Sequence, residues 1–148
     1  MARITIDMPQ TYTFDTELDV RISDINYGNH LGHDAFISLL HEARVRFFNA
    51  LGYTEVNVEG VALVVSDLVV VYKAQSFYGD RILIEMAAGE FNRYGCDLFY
   101  RVTRPGTGKL VLTAKTGIVF VDPATAKVSR LPQAFADKTV PPGDQDQV

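Results

Sequence analysis

The sequence is poor in the residues that mark several protein classes. Its 148 residues include no tryptophan and a single cysteine, Cys96. One cysteine cannot form a disulfide within the chain, which agrees with a reducing compartment. No apolar run approaches the roughly 20 residues that a membrane-spanning helix needs. Disulfide-stapled scaffolds and helical membrane proteins are therefore excluded.

Positive charge is also scarce. Fourteen Lys and Arg stand against eighteen Asp and Glu, which gives a net charge of −4. Proteins that hold nucleic acid on a broad basic surface have the opposite balance, so this class is excluded. The first residues lack the apolar core of a signal peptide, because Asp7 and Gln10 interrupt it. We therefore expect a cytoplasmic protein with neither a nucleic-acid nor a membrane partner.

The familiar signatures of nucleotide and nucleophile sites are missing. We find no G-x-G-x-x-G, no G-x-x-x-x-G-K-[ST] and no G-x-S-x-G. Dinucleotide-binding, P-loop and α/β-hydrolase enzymes are therefore disfavoured. The chain shows no repeat or internal linker, and its length suits one domain over residues 1–140. The polar stretch 141–148, which contains Pro and Gly, is expected to be a disordered tail.

Hydrophobic periodicity predicts one helix among several long strands. Apolar residues alternate over residues 11–22, which indicates a strand with one buried face. They recur every three or four positions over residues 33–51, which predicts a largely buried helix, with Gly52 just after its end. Its polar side carries His41, Glu42, Arg44 and Arg46. Further strands are predicted over residues 60–73, 80–89, 94–103 and 109–121, then a turn at 122–127 and a helical piece at 131–136.

This order of elements predicts an α+β fold in which the helix packs on a single antiparallel sheet. A strand of about 12 residues spans roughly 40 Å, so the sheet must curl around the helix. One helix leaves the far face and the edge of such a sheet uncovered. Self-association is the simplest way to cover them.

Unusual polar residues are concentrated in residues 23–42, which run from the first strand into the helix. Within it, residues 24–34 hold glycines, carboxylates, asparagines and two of the three histidines. The helix start offers unpaired N–H groups and a partial positive charge. Such donors polarise a carbonyl and stabilise an oxyanion, and a nearby carboxylate or water would complete a site for acyl-transfer hydrolysis.

Each of these residues also has a purely structural interpretation. Asp34 suits the first helical turn, Asp24 suits a turn cap, and Asn26 suits a turn position with a positive φ. Glu42 is placed to pair with Arg46 four residues later, which stabilises a helix by about 0.2–0.5 kcal/mol.

The remaining histidines and the cysteine offer little chemistry of their own. His30 and His33 lack a third ligand, so no metal site is predicted. His41 is expected on the helix surface or at an interface, and Cys96 as a packed thiol.

The pattern resembles the hotdog-fold acyl-CoA thioesterases, and within them the 4-hydroxybenzoyl-CoA thioesterase-like branch. The matching pieces are R-I-S-D-I-N before the glycine loop, L-L-H-E-A-R-V-R-F-F-N-A-L-G in the helix, V-V-V-Y-K-A-Q-S-F-Y-G-D-R-I-L-I-E, and G-I-V-F-V-D with R-L-P near the end. The resemblance covers residues 12–132. It implies a hotdog fold, in which a curved antiparallel sheet wraps around one long central helix. It also implies a homodimer with one continuous sheet, which often pairs into a homotetramer, and acyl-CoA sites at the dimer interface. No metal or prosthetic group is implied, since CoA is part of the substrate.

This chain departs at one position from the catalytic residues that the resemblance implies. The family commonly has D-x-D before the glycines, with the second Asp as nucleophile or base, whereas this chain has Asn26 there. A sister branch with an Asn–His arrangement in this loop makes the replacement acceptable. Seven residues later, His33 matches the position whose backbone N–H polarises the thioester. We therefore expect the His33 amide to polarise the carbonyl and Asn26 to position a water. The base is then assigned to Asp34, ahead of Asp24 and Glu42.

Substrate contacts are expected from the same loop and helix. Tyr27, Phe36 and Leu40 are candidates for the acyl pocket, with His30 beside them. Because the chain is acidic, the CoA phosphates require a local group of cations. Lys73 and Arg93 are the chosen candidates, from a set that also includes Arg81, Arg101 and Arg104.

Two other functions stay open. One is hydration or dehydration of an acyl thioester. That branch has N-P-x-H-x-D, whereas Asn29 here is followed by Gly32 in place of the histidine. A second dehydratase pattern pairs a loop histidine with a helix glutamate, for which His30 or His33 with Glu42 is a loose match. The other is a hotdog subunit that binds acyl-CoA without turnover, which the Asn26 departure suggests.

Overall fold

A computed structural model describes residues 3–140 of the chain. The elements in order are β1 (Phe14–Asp19), a 3₁₀ turn (Ile22–Asp24), α1 (His33–Ala50), β2 (Ala62–Tyr72), β3 (Arg81–Gly89), β4 (Gly95–Thr103), β5 (Leu110–Val121) and α2 (Gln133–Thr139). The predicted α+β class is confirmed. The predicted tail, 141–148, lies outside the described residues.

The five strands form one antiparallel sheet in the order β1-β3-β4-β5-β2. Strands β1 and β2 therefore lie at its two edges. Alternate side chains of each strand point to the side on which α1 packs, because successive residues of a strand face opposite ways. Along β5 the buried apolar side chains on this side are Leu112, Ala114, Ile118 and Phe120.

The helix α1 fills the concave side of the curved sheet. Its buried apolar residues are Phe36, Leu39, Leu40, Ala43, Phe47 and Phe48. At its far end, Phe48 stacks on Phe135 of α2 with ring centroids 5.6 Å apart. Phe135 in turn meets Phe120 of β5 edge to face at 5.4 Å. Within residues 3–140, no helix is long and apolar enough to cross a membrane.

Two elements differ most from their predicted bounds. The first strand is half its predicted length, because its register with β3 covers only Phe14–Asp19. The Asp24 side chain then hydrogen-bonds the Arg21 N–H, which bends the chain into the 3₁₀ turn. The last helix starts at Gln133 rather than two residues earlier, because Pro132 takes the N-cap position in an extended conformation.

The predicted polar side of α1 also needs one correction. Arg44 lies in the interior rather than at the surface, with its Nε donating to Glu55 at 3.4 Å. Its guanidinium also lies near the buried Tyr100, whose pKa is raised by burial. Periodicity shows on which side of the helix Arg44 lies, but it does not show that Glu55 pairs with Arg44.

The two loops that flank the start of α1 are joined by backbone hydrogen bonds. The Leu31 N–H donates to the Ser76 carbonyl at 2.7 Å, and the Gly79 N–H donates to the Val20 carbonyl at 3.0 Å. The loop before α1 and the loop after β2 are therefore held together at one end of the sheet. The first turn of α1 begins beside this junction of the two loops.

Candidate active site

The first turn of α1 presents free donors. The first intrahelical hydrogen bond runs from the Phe36 N–H to the Gly32 carbonyl at 3.1 Å. The N–H groups of His33, Asp34 and Ala35 precede that ladder and point out of the helix end. Gly32 is the N-cap residue, and it has no side chain to accept from them. The helix end therefore keeps the hydrogen-bonding capacity that most helices satisfy with a capping side chain.

The loop before the helix is held by its own backbone. The Gly32 N–H donates to the Asp24 carbonyl at 3.1 Å, and the Asn26 N–H donates to the His30 carbonyl at 3.0 Å. Asn29 has a positive φ of 67°, a conformation that asparagine tolerates better than most residues. The loop is thus a closed, hydrogen-bonded turn that fixes the position of the helix start.

Asp24 has a structural role in this loop. Its carboxylate is buried and accepts from the Arg21 N–H at 2.9 Å and from Arg21 Nη2 at 3.1 Å. Burial alone raises the pKa of the Asp24 carboxyl, but the hydrogen bonds and charge of Arg21 outweigh it and hold the pKa below its usual range. The turn-cap interpretation is confirmed. Arg21 thus engages both carboxylate oxygens of Asp24.

Asn26 and His30 face each other across Gly28. The Asn26 Oδ1 accepts from the Gly28 N–H at 2.9 Å, so Asn26 is a turn residue as predicted, but the positive φ expected of it is found at Asn29 instead. A methyl group on Gly28 would lie 3.2 Å from both Asn26 Oδ1 and His30 Nε2. Gly28 is therefore closely packed against both polar atoms, and a side chain there would crowd them.

Asp34 approaches the same loop from the helix. A methyl group on Gly32 would lie 2.7 Å from Asp34 Oδ1 and 3.7 Å from Asn26 Cβ. The structure thus brings together Asn26, His33 and Asp34, as the sequence predicted. It adds His30 to them.

Beside the helix start lies a cleft of about 230 Å³, called the His30 cleft below. It is lined by His30, Leu31, His33, Phe36, Tyr72, Lys73, Ala74 and Gln75.

Aromatic rings form one wall of the His30 cleft. The rings of His33 and Tyr72 stack with centroids 4.3 Å apart, and the Tyr72 hydroxyl donates to the His33 carbonyl at 3.0 Å. Phe36 meets the Tyr72 ring edge to face at 5.8 Å. This wall is aromatic and lies next to a helix end that supplies hydrogen-bond donors.

Sequence reasoning missed Tyr72. It is the last residue of β2, and a strand pattern gives no distance to a helix that begins about forty positions earlier. An aromatic residue just before a turn-rich segment was the available signal.

Several predicted substrate residues lie elsewhere. Leu40 is fully packed in the core, whereas Tyr27 is fully exposed on the loop. Arg93 lies in the β3–β4 turn, at the end of the sheet away from Tyr72, with its guanidinium 5.9 Å from the Tyr94 ring. Within one subunit, Lys73 is therefore the predicted cation that the structure places at the His30 cleft.

Glu42 lies in a second cleft, of about 310 Å³, called the Arg46 cleft below. Its lining residues are Leu18, Asp19, Arg21, Ser38, Leu39, Glu42 and Arg46. Arg46 Nε donates to Glu42 at 3.3 Å, and Arg46 Nη1 donates to the Thr16 hydroxyl at 2.8 Å. The predicted Glu42–Arg46 pair is confirmed. Glu42 does not line the His30 cleft, so the structure does not join it to His30 or His33.

The described residues offer no cluster of three or more His, Cys, Asp or Glu side chains that would hold a metal ion. Cys96 is buried, as predicted. Its burial raises the pKa of the thiol far above its usual range. The chemistry of the site therefore depends on backbone donors, Asn26, His30 and Asp34.

Comparison with known proteins gives one family match. The model of the thioesterase-like superfamily matches residues 20–139. No curated protein matches the chain.

Solved structures resemble the chain along most of its length. A 1,4-dihydroxy-2-naphthoyl-CoA thioesterase from Synechocystis shares 20% identity over 84% of this chain and 93% of its own, with a TM-score of 0.76. A DHNA-CoA thioesterase from Staphylococcus aureus shares 24% identity over 84% of each chain, with a TM-score of 0.73. A hypothetical protein from Staphylococcus aureus, solved in complex with CoA, shares 17% identity over 90% of this chain and 85% of its own, with a TM-score of 0.77.

At these identities the solved structures establish the fold, and the predicted hotdog architecture is confirmed. The family match covers most of the chain, from the end of β1 through α2. The chain belongs to the thioesterase-like superfamily.

Proposed function

We propose that the protein hydrolyses an acyl-CoA thioester to a free acid and CoA. The observation that carries this proposal is the uncapped start of α1, which opens beside the His30 cleft. Membership of the thioesterase-like superfamily supports the same reaction. Hydrolysis of a thioester passes through a tetrahedral oxyanion, which preorganised N–H donors stabilise more than they stabilise the substrate.

The helix start supplies the N–H donors that polarise the thioester carbonyl. The His33 N–H polarises the thioester carbonyl, and the partial positive charge of the helix end adds to this effect. Asn26 lies near the N-cap residue Gly32, with its Cβ 3.7 Å from the position of a Gly32 methyl, and its side chain holds the attacking water with the amide N–H that its Gly28 contact leaves free. Because the loop is fixed by backbone hydrogen bonds, these donors need little rearrangement during the reaction.

Lys73 and the aromatic wall contact different parts of the substrate. Lys73 brings positive charge to the His30 cleft, where a CoA phosphate requires it. Arg104 is held nearby, because its guanidinium donates to the carbonyl of Gln75, which also lines the cleft. Tyr72 and Phe36 offer the acyl group an apolar surface. A related structure in complex with CoA supports a CoA ligand.

We further propose that the active form is a homodimer that pairs through β2. This strand is an edge of the sheet and pairs only with β5 among the described strands. Its Val65 and Leu68 side chains point toward α1 yet are 43% and 39% exposed, and Tyr72 at its end is 36% exposed. An apolar edge strand is a template for pairing with another chain. The same strand borders the His30 cleft, so a second copy would stand next to the site.

Thiol release from a panel of acyl-CoA esters tests the proposed reaction. Short, long, dicarboxylic and aromatic esters are offered, and the free thiol is followed with a thiol-reactive dye in the presence of EDTA. We expect turnover of at least one ester, unaffected by EDTA because no step uses a metal. Saturable binding of CoA esters without thiol release would contradict hydrolysis and favour the non-catalytic subunit.

Light scattering of a charged variant tests the dimer. Leu68→Glu places a carboxylate on the apolar edge, so we expect a monomer at micromolar concentration with strongly reduced turnover. Val128→Glu is the matched control, because Val128 is also exposed but lies outside β2. It should remain a dimer. A wild-type protein that is monomeric at this concentration would contradict the proposed assembly.

A further inference from the structure

Tyr72 contacts the start of α1 with both its hydroxyl and its ring. The hydroxyl donates to the His33 carbonyl at 3.0 Å. The phenol ring stacks on the His33 imidazole at 4.3 Å, with 24° between the two planes, and it meets Phe36 edge to face at 5.8 Å. His33 and Phe36 are three residues apart, so they are neighbours on one face of the helix. A single side chain of β2 therefore holds the first turn of α1 at three points.

The end of β2 that carries Tyr72 is anchored in the sheet. Tyr72 is paired with Leu112 in the register of β2 and β5. The next residue, Lys73, donates its N–H to the Val111 carbonyl at 2.8 Å. Val111 and Leu112 are fully buried. The backbone of Tyr72 is thus fixed by the core of the sheet, and its side chain connects this fixed point to the helix start.

The helix start needs such a contact because helix ends fray and Gly32 has no side chain to cap this one. On the loop side, the Gly32 N–H is held by the Asp24 carbonyl at 3.1 Å. On the sheet side, Tyr72 holds the carbonyl and the ring of His33. The His33 N–H lies between these two restraints along the chain, so its direction depends on both.

The Tyr72 hydroxyl is suited to be a permanent donor. A carbonyl oxygen has two lone pairs, and the helix ladder uses one of those on His33 while Tyr72 uses the other. Burial, together with the charge of Asp34, raises the pKa of the Tyr72 phenol above its usual value near 10. The hydroxyl therefore stays protonated throughout the neutral pH range and continues to donate to His33.

We propose that Tyr72 is a positioning residue of the reaction, whose hydroxyl holds His33 so that the His33 N–H faces the oxyanion. This inference rests on the proposed hydrolysis, to which it adds a residue that acts through His33. The donor is aimed before the reaction begins, so little reorganisation is needed as the thioester carbonyl oxygen becomes negative. The effect is felt in the transition state, where the negative charge has developed, rather than in substrate binding.

The variant Tyr72→Phe separates the hydroxyl from the ring. Phenylalanine keeps the ring that stacks on His33 and removes only the donor to the His33 carbonyl. A misplacement of about 1 Å lowers a rate about 100-fold, and the ring still restrains His33, so we expect kcat to fall about tenfold. KM should stay within about twofold, because the surface that binds the substrate is unchanged. Tyr94→Phe is the matched control and should keep both constants, because Tyr94 lies in the β3–β4 turn at the other end of the sheet.

A pair of CoA ketones tests the same point by binding alone. In one ketone a methylene group replaces the thioester sulfur. In the other a difluoromethylene group replaces it, which makes the carbonyl add water and become tetrahedral. The simple ketone resembles the substrate, whereas the hydrated ketone resembles the reaction intermediate. We expect Tyr72→Phe to weaken binding of the difluoro ketone about tenfold and of the simple ketone less than about twofold. Equal weakening of both would show a role in substrate binding only and would overturn the inference.

Amide hydrogen exchange distinguishes a local role from general destabilisation. The Phe36 N–H makes the first intrahelical hydrogen bond, so its exchange rate reports on the start of α1. In Tyr72→Phe it should exchange about tenfold faster, while amides in the middle of β5, such as that of Ala114, keep their wild-type rates. A uniform increase at both places would mean that the variant is less stable as a whole, and the positioning role would be wrong.

The failure of this inference differs from the failure of the proposed function. If the wild type hydrolyses an ester and Tyr72→Phe stays within about twofold of its kcat, the hydroxyl has no positioning role, and the proposed hydrolysis stands. A wild type that hydrolyses no acyl-CoA ester contradicts the proposed function itself, and the role of Tyr72 with it.

Discussion

The two clefts along α1 differ in how their polar groups are satisfied. The Arg46 cleft is the larger, at about 310 Å³ against 230 Å³. Its charged side chains already have ionic partners, through Arg46–Glu42, Arg21–Asp24 and Arg81–Asp19. In the His30 cleft the helix donors remain available. Available hydrogen-bonding capacity, rather than volume, therefore distinguishes the site.

This difference arises from the free energy that a ligand must spend to replace the existing hydrogen-bonding and ionic partners. A ligand that enters the Arg46 cleft must replace existing ion pairs, so it gains little from each new contact. A ligand at the helix start meets donors that no side chain has capped, and it replaces only water. The same contrast explains why an anion or a developing oxyanion is favoured at one cleft and not at the other.

Among the variants that compare the two clefts, Gly32→Ala is expected to lower kcat the most. Gly32 has φ −69° and ψ 151°, which alanine adopts freely, so the backbone is not strained. The added methyl would lie 2.7 Å from Asp34 Oδ1, so the exposed Asp34 side chain must move from its place beside the N-cap. We expect kcat to fall about 100-fold, as for a misplacement of about 1 Å, with little change in Tm. Ser38→Ala, in the Arg46 cleft, should leave kcat unchanged. A comparable loss in both variants would contradict the contrast.

Asp24→Asn tests the residue that links the two clefts. Its side chain binds Arg21 of the Arg46 cleft, while its carbonyl accepts from Gly32 beside the His30 cleft. Removing this charge should cost about 1–3 kcal/mol of unfolding free energy at pH 7, measured by urea unfolding.

The pH dependence of that loss follows from the lowered pKa of Asp24. A lowered pKa in the folded state stabilises the protein above the unfolded value, near 3.9 for Asp. This contribution disappears as the pH falls through the folded-state value. The difference between Asp24→Asn and the wild type should therefore shrink below about pH 4. A difference that grows in acid would contradict the paired, ionised state of Asp24.

The smallest effect is expected from Glu42→Gln. Glu42 and Arg46 form an exposed pair at i and i+4, which contributes at most about 0.5 kcal/mol. Turnover should be unchanged, because Glu42 faces the Arg46 cleft. A tenfold loss of kcat would instead indicate that Glu42 takes part in proton transfer, as in the dehydratase pattern.

The sequence predicted the part of the molecule that local patterns control. The alternating and three-to-four-residue periods placed α1 and the five strands, apart from the ends that Asp24 and Pro132 shift. The loop–helix junction in the sequence predicted free N–H donors at the start of α1, and the structure places this helix start beside a cleft.

Long-range placement could not be predicted in the same way. Arg93 and Lys73 both follow strand patterns, but only the pairing of the strands shows that they lie at opposite ends of the sheet. The roles of Tyr72 and Asp24 depend on one hydrogen bond each with a backbone group, at His33 and at Arg21. Several local conformations would make or break such bonds, so composition and spacing do not determine them.

A crystal structure with a non-hydrolysable acyl-CoA ketone is the most direct test of the account. In this analogue a methylene group replaces the thioester sulfur and the carbonyl is kept. The account predicts the analogue in the His30 cleft, with its carbonyl oxygen about 3 Å from the His33 N–H. A carbonyl bound in the Arg46 cleft, or turned away from the start of α1, would contradict it.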